Sequence, residues 1–400
     1  MSRIPLFAPS HSPALSEALL EAFTRVERSG RYVLGEELER FEEAFARYLG
    51  VRWVVGVSSG SDALLAALLA LGIGPGDEVV TTPLSFIATA EAIARVGATA
   101  VFADVREDTL CLDAEAVEAA LTPRIRAIVP VHLYGAAAPM AELSALSERH
   151  GVPIIEDAAQ AAGGVFDDGR KLGSLGAMSA FSFFPSKPLG GLGDGGAIAT
   201  NDERLASACR SLRVHGRVLD SEGSGRRGTF GRLGGNFRLD ALQAALLAEK
   251  LPELDAWRDA RARIARAYDR GFTALASRGV APASSACAGH ASAGSLRVES
   301  KARSAHGAYT LRLRGASSEV RDGVARELAS AGVETAVYYR RLLRDEPSME
   351  GHHRVAAGGT PVAQRACEEV LSLTIFPGLS EAQIREVVER VCAAVDRSSH

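Results

Sequence analysis

WVVGVSSGSDALLAALLALGIGPGDEVVTT, residues 53–82, decides the fold. WVVGV reads as a short strand, and Ser59-Gly60-Ser61-Asp62 then opens an apolar helix running to about Leu71. GIGPGDEV makes the turn into a second strand, VVTT. Strands that are apolar throughout, instead of alternating, are covered on both faces, and a helix between two of them is the crossover that parallel pairing needs. Similar units follow as ATAEAIARVG, ATAVFADV, DAEAVEAAL, AIVPVHLYG, MAELSALSERHG, VPIIEDA, AMSAFSF and GAIATND, up to about residue 210. Upstream, Ser16–Ser29 and Glu36–Leu49 carry amphipathic helical patterns. The fold class is therefore α/β, with a mainly parallel sheet flanked by helices.

After the sheet, SEGSGRRGTFGRLGGN (221–236) is a polar, glycine-rich loop. LDALQAALLAEKLPELDAWRDARARIARAYDRGF (239–272) is a long helical pattern interrupted near Pro252. The order then changes to a strand in AYTLRLRG, a helix in EVRDGVARELASAG, a strand in ETAVYY and a last helix in SEAQIREVVERVCAAVD. We expect a large domain over 1–255 and a smaller C-terminal α+β domain over 256–400, on which the N-terminal helix can pack. The Ala/Ser/Gly-rich stretch APASSACAGHASAGS marks an exposed insertion near 281–305.

At 400 residues, 47% apolar and 24% charged with a net charge of -4, the chain can bury a large core, and nothing in its charge calls for nucleic acid. Arg213, Arg217, Arg226, Arg227 and Arg232 crowd one segment; they read as a solvated loop or as a site for a phosphorylated small molecule. The five cysteines, Cys111, Cys209, Cys287, Cys367 and Cys392, are scattered, without the spacing of a disulfide framework or a metal site. No apolar run is long enough for a signal peptide or a membrane span, so a cytoplasmic protein is expected.

The chemistry gathers in SAFSFFPSKPLGGLGDGGAIAT (179–200). Lys187 stands at the end of an apolar strand among aromatic residues, where desolvation lowers an amine's pKa and lets it attack a carbonyl. Alone, it reads more readily as a solvated loop lysine. About thirty residues upstream, VPIIEDAAQAAG (152–163) is a buried strand ending in Glu156 and Asp157. These acids read either as caps of the following segment or as the anion that keeps a pyridine nitrogen protonated. An acid and a lysine at successive strand ends point to pyridoxal phosphate (PLP), in the position where α/β proteins hold ligands. The start of the helix at Gly60 and Ser61 can receive a phosphate, although Ser-Gly-Ser-Asp is also an ordinary N-cap. Ser182 is a second phosphate candidate, and Phe86, after VVTT, can stack on a planar ring or pack in the core.

SSGSDALLAALLALGIGPGDEVVTTPLSFIATAEAI, EDAAQA, SFFPSKPLGGLGDGGA and GGNFRLDALQAALLAEKL together resemble the DegT/StrS-type sugar aminotransferases, PLP enzymes of fold type I. The likeness is close over residues 4–270 and looser beyond. It implies a seven-stranded-type sheet, Lys187 as the Schiff-base lysine and proton shuttle, Asp157 on the pyridine nitrogen, Gln160 at the ring hydroxyl and Phe86 on the ring face. The phosphate would meet Gly60, Ser61, Ser182 and, from the partner in a homodimer with shared sites, Asn236. Arg238 is implied as the anion contact for substrate, with His306 and Tyr309 as further substrate candidates.

The implied reaction is ping-pong transfer of an amine from L-glutamate, through the pyridoxamine form, to a nucleotide-linked ketosugar. A related dehydratase branch has His in place of the lysine, so Lys187 favours transamination. The motifs look most like the branch aminating C3 of UDP-3-keto-N-acetylglucosamine or its uronic acid. The alternatives are a 4-keto-6-deoxy-sugar nucleotide 4-aminotransferase and, more remotely, a non-catalytic regulatory protein of the same fold. Two segments depart from the family pattern. His306-Gly307-Ala308-Tyr309 replaces an aromatic-His pair, and Tyr339-Arg340-Arg341-Leu342-Leu343-Arg344 replaces Tyr-Pro-x-Pro-Leu-His. Those arginines either bind an added carboxylate or face water, and we favour water.

Overall fold

A computed structural model describes residues 3–218, 229–273, 275, 279–282 and 303–398. Its strands are β1 (Trp53–Val57), β2 (Glu78–Thr81), β3 (Thr99–Phe102), β4 (Ile125–Val129), β5 (Ile155–Asp157), β6 (Met178–Ser182), β7 (Gly196–Thr200), β8 (Val280–Pro282), β9 (Tyr309–Leu313), β10 (His353–Val355) and β11 (Val370–Leu373). Two four-stranded groups, β10-β3-β2-β4 and β5-β6-β7-β1, are joined by parallel bridges from Ile128 to Ile154 and from Val131 to Asp157. The main sheet thus runs β10-β3-β2-β4-β5-β6-β7-β1.

The expected parallel sheet holds with two amendments. β7 runs antiparallel to both β6 and β1. The seven expected strands also gain an eighth, β10, which pairs parallel with β3 from far down the chain. Because β7 is reversed, its first residue, Gly196, lies at the same edge as the C-terminal ends of β1, β5 and β6. That edge is where an open α/β sheet offers its loops and helix starts to a ligand.

The helix Gly60–Ala70 is apolar on every side because it is buried on every side: Ala63, Leu64, Ala66, Ala67 and Leu68 are all inaccessible or nearly so. It packs on β6 and β7 and against the helices Ala88–Arg95 and Glu203–Leu212. The sequence signals that end helices act as expected elsewhere. Pro252 breaks the long pattern into Ala241–Lys250, one 3-10 turn and Leu254–Gly271.

The antiparallel sheet β11-β9-β8 has its own core, in which Leu311, Leu313, Leu328, Leu371, Leu373, Val387 and Val391 meet. Ile4, near the chain start, belongs to this core and bridges to Val333. The N-terminal helix Pro13–Ser29 instead packs Leu15, Leu19, Ala22 and Val26 on Ala241, Ala245 and Leu246. ETAVYY, expected as a strand, makes only single bridges, chiefly Ala336 with Ser372, before turning toward the main sheet. Most of the expected insertion, with Cys287, and the first half of the loop 221–236, with Arg226 and Arg227, lie outside the described residues.

Candidate active site

Side chains alternate along β5, and that alternation gives its two terminal acids different work. Glu156 has none of its surface exposed. It accepts from the backbone N–H groups of Gly173, Leu175 and Gly176 at 3.1, 2.7 and 2.6 Å. His132 Nδ1 accepts the Ala138 N–H, which leaves Nε2–H to donate to Glu156 at 2.8 Å. Glu156 is thus a tie between β5 and the 173–176 turn.

Asp157 faces the other way. Thr89 Oγ1 donates to its Oδ2 at 2.8 Å, Ser85 backs Thr89 at 3.0 Å, and the Ala159 N–H reaches Oδ1 at 3.2 Å. Burial nevertheless raises its pKa above the ordinary carboxylate value, against the pull of those bonds and of the Lys187 charge. Lys187 is half-buried in the loop after β6, with its N–H on the Phe184 carbonyl at 2.8 Å. Burial lowers its pKa, and Asp157 resists the shift. A lysine so shifted has more of the neutral, nucleophilic form at neutral pH.

Above this pair, three segments meet almost backbone to backbone. Ser59 caps the helix Gly60–Ala70 by accepting the Asp62 N–H at 3.0 Å, and Ser58 donates to the Asp62 carboxylate at 2.6 Å. The helix has no carbonyl of its own for the Gly60 and Ser61 N–H groups. A Cβ on Gly60 would lie 2.7 Å from Ser182 Cβ, and one on Gly196 would lie 2.4 Å from the Ser59 carbonyl. Glycine at both positions therefore makes a cradle with two outward N–H groups and the Ser182 hydroxyl beside them.

Gln160 is drawn in by the Tyr134 N–H on its Oε1 at 2.6 Å and donates through Nε2 to the Tyr339 hydroxyl at 3.2 Å. Tyr339 lies close enough to Asp157 that the carboxylate helps to raise its pKa, after burial. Its ring sits 6.4 Å from Phe86, whose own ring is 57% exposed. Arg238 is half-buried and pairs through its backbone with Val57, just ahead of the cradle. Asn236 is exposed and bridges to Val214.

Two sequence candidates are enclosed in the protein: Tyr309 lies apart from this group, whereas His306 borders it through Gly307, where a Cβ would fall 2.5 Å from the Gln160 carbonyl oxygen. Tyr309 is buried in the core of the antiparallel sheet against Tyr268 and Phe272, with its hydroxyl donating to Asp269 at 2.8 Å. His306 is buried, and burial together with Arg261 and Arg266 lowers its pKa to about 4, so at neutral pH it carries no charge for an anionic substrate. The arginines of the divergent loop also have local partners. Arg340 pairs with Asp322 at 2.7 Å and Arg341 with Glu346 at 3.8 Å, both exposed, whereas Arg344 binds Thr360 and Gln364. The residues that sequence reading passed over are Ser85, Thr89 and Tyr339. Thr89 lies three positions from Phe86 and had a local signal, a hydroxyl at the start of a helix after a strand.

These residues fit PLP. The cradle offers N–H groups at a helix start where a phosphate would fit, and Asp157 is a buried carboxylate that a ring-nitrogen cation would relieve. Lys187 supplies an amine for the carbonyl, and Phe86 leaves an open aromatic face. The sheet order and this set of groups define a PLP-dependent enzyme of fold type I. The chain belongs to the DegT/DnrJ/EryC1/StrS aminotransferase family, which it matches over residues 13–392.

Relatives span nearly the whole chain. A protein of Geobacillus stearothermophilus named "Pleiotropic regulatory protein" is 40% identical over 94% of each chain. The UDP-2-acetamido-2-deoxy-3-oxo-D-glucuronate aminotransferase of Pseudomonas aeruginosa is 38% identical over 93% of each. The crystal structure of DesV from S. venezuelae, in complex with a ketimine intermediate, superposes with a TM-score of 0.85 at 36% identity, covering 100% of both chains. Among the described residues no helix is long and apolar enough to cross a membrane.

Proposed function

We propose that this aminotransferase moves an amino group from L-glutamate to C3 of a UDP-linked 3-keto-N-acetylglucosamine or its uronic acid, as a cytoplasmic homodimer. The observation that carries the transamination is the pairing of Lys187 with Asp157 at neighbouring strand ends, where each feels the other's charge. The sugar rests on the likeness to the 3-oxo-glucuronate aminotransferase, a nucleotide-sugar enzyme of nearly the same length.

Bound at this site, PLP supplies an electrophilic carbonyl carbon and a ring that takes up the electron pair of a C–H bond. Asp157, oriented by Thr89 and Ala159, would hold the proton on the ring nitrogen. Gly60, Ser61 and Ser182 would hold the phosphate, Gln160 with Tyr339 would lie toward the ring hydroxyl, and Phe86 would pack on the ring. Lys187, as a neutral amine, would take the proton from the donor's α-carbon and pass it on toward the cofactor. In the second half-reaction it returns a proton to the sugar carbon. Arg238 meets the anionic part of the sugar nucleotide.

The homodimer reading is supported by apolar side chains left open around the site. Phe86, Phe184, Leu192 and Leu233 are 57%, 52%, 55% and 91% exposed, and a second copy would bury them. The buried thiols of Cys111, Cys209 and Cys367 suit a reducing compartment.

The protein loaded with PLP should have a visible band that L-glutamate discharges and a UDP-3-ketosugar restores. A panel including dTDP-4-keto-6-deoxy sugars assigns the carbon and nucleotide, and Lys187→Ala should abolish turnover. A band that glutamate leaves untouched would favour a regulatory protein. Restoration by 4-ketosugars alone would overturn the C3 assignment. Sedimentation at working concentration should give twice the chain mass.

A further inference from the structure

Lys250 is a buried amine with no part in the chemistry above. It closes the helix Ala241–Lys250 with 5% of its surface exposed, and its Nζ donates to the Gly190 carbonyl at 2.7 Å. Among the described residues no carboxylate pairs with it, and burial alone lowers its pKa to about 8. Methionine would fill similar space without desolvating a charge. The lysine is explained by what it holds.

Gly190 lies three residues beyond Lys187. The Gly191 N–H closes this loop on the Phe183 carbonyl at 2.7 Å. Gly190 itself packs so tightly on Pro185 that a Cβ there would fall 2.2 Å from the Pro185 carbonyl oxygen. A restraint on the Gly190 carbonyl is therefore passed straight to the turn that carries Lys187.

Gln243 sits two helical turns before Lys250, on the same face of the helix. Its Oε1 accepts the Leu192 N–H at 2.8 Å. Gly191 and Gly193 leave room for that amide, since Cβ atoms there would come within 2.8 and 3.1 Å of it. One helix face thus grips the loop at a carbonyl and at an N–H, two residues apart. Lys250 is not among the charges that act on Lys187, so the grip works through loop geometry.

We propose that Gln243 and Lys250 are positioning residues, a two-point clamp that sets the reach of the Lys187 amine toward the reacting carbon. The inference rests on Lys187 being the cofactor-bearing lysine. Its test compares Lys250→Met, Gln243→Leu and Gln243→Glu, the last of which keeps an acceptor for the Leu192 N–H.

In single turnovers, discharge of the visible band by L-glutamate should slow about 10–100-fold in Lys250→Met and Gln243→Leu, the scale of an ångström-sized misplacement. Gln243→Glu should stay within about threefold of wild type, since restored positioning restores rate. In the cofactor-free proteins, amide hydrogen exchange over residues 184–195 should rise about tenfold in the first two variants and not in the third.

Wild-type rates in both Lys250→Met and Gln243→Leu would overturn the clamp, as would slow turnover with unchanged loop exchange. If Lys250→Met does not fold, the Gln243 pair decides. A wild-type protein that forms no band with PLP would instead defeat the cofactor reading, and the exchange measurements would still judge the clamp.

Discussion

Asp157→Asn separates what the site needs from what the fold needs. The substitution keeps the shape and can keep the contacts to Thr89 and Ala159, but it removes a buried negative charge whose pKa burial has raised. For such an acid the native state binds more protons than the unfolded chain, from pH 3.8 up to the raised native value. The cofactor-free protein therefore loses stability as pH rises through that window, and above it carries the full penalty. The asparagine variant lacks that part of the pH dependence, and without cofactor it should be at least as stable as wild type at neutral pH.

With cofactor the sign reverses. Taking away one partner of a buried ion pair costs about 3–5 kcal/mol, or roughly two to three and a half orders of magnitude in the glutamate half-reaction. The assays are urea melts of the cofactor-free proteins across pH and stopped-flow discharge of the visible band. Half-reaction rates within tenfold of wild type would refute the role given to Asp157. A cofactor-free variant several kcal/mol less stable would refute the account of its burial.

Glu156→Ala should do the opposite, stripping three N–H groups and His132 of their acceptor; it should cost about 3–5 kcal/mol in urea-measured stability, and a loss under about 1 kcal/mol would contradict the tie described. Gly196→Ala pushes a methyl group into the Ser59 backbone and should weaken PLP binding at least about tenfold by titration. Gly74→Ala is its control, because there the nearest atom, the Val96 carbonyl oxygen, is 3.8 Å away. Equal affinities in the two glycine variants would sink the cradle.

What could be read in the sequence was local. An apolar run with an acid or a lysine at its end puts that residue at a strand tip, so Asp157, Lys187 and the Gly60 helix start could be placed before any partner was known. Convergence from distant segments was not legible. Tyr339 reaches Gln160 across 179 positions of sequence, and nothing around it differs from a divergent surface loop. β10, three half-exposed residues, has no periodicity to mark it and exists because β3 offers an open edge. The split between Glu156 and Asp157 follows from strand alternation, yet which acid faces the ligand depends on where helix Ala88–Arg95 puts Thr89. The position of Tyr309 was not legible for a related reason. Nearness to a family motif says nothing about which face of β9 a ring occupies, and Tyr268 and Phe272 had already claimed this one.

The reversed direction of β7 makes the segment bearing Lys187 a hairpin connection between neighbouring strands, with both ends moored in one sheet. A crossover would have put a helix of its own between the two strands. Here the nucleophile sits on a short span between two fixed piers, with Gln243 and Lys250 bracing it from one side. A fold arranged this way fixes its most consequential residue without a helix in line with it.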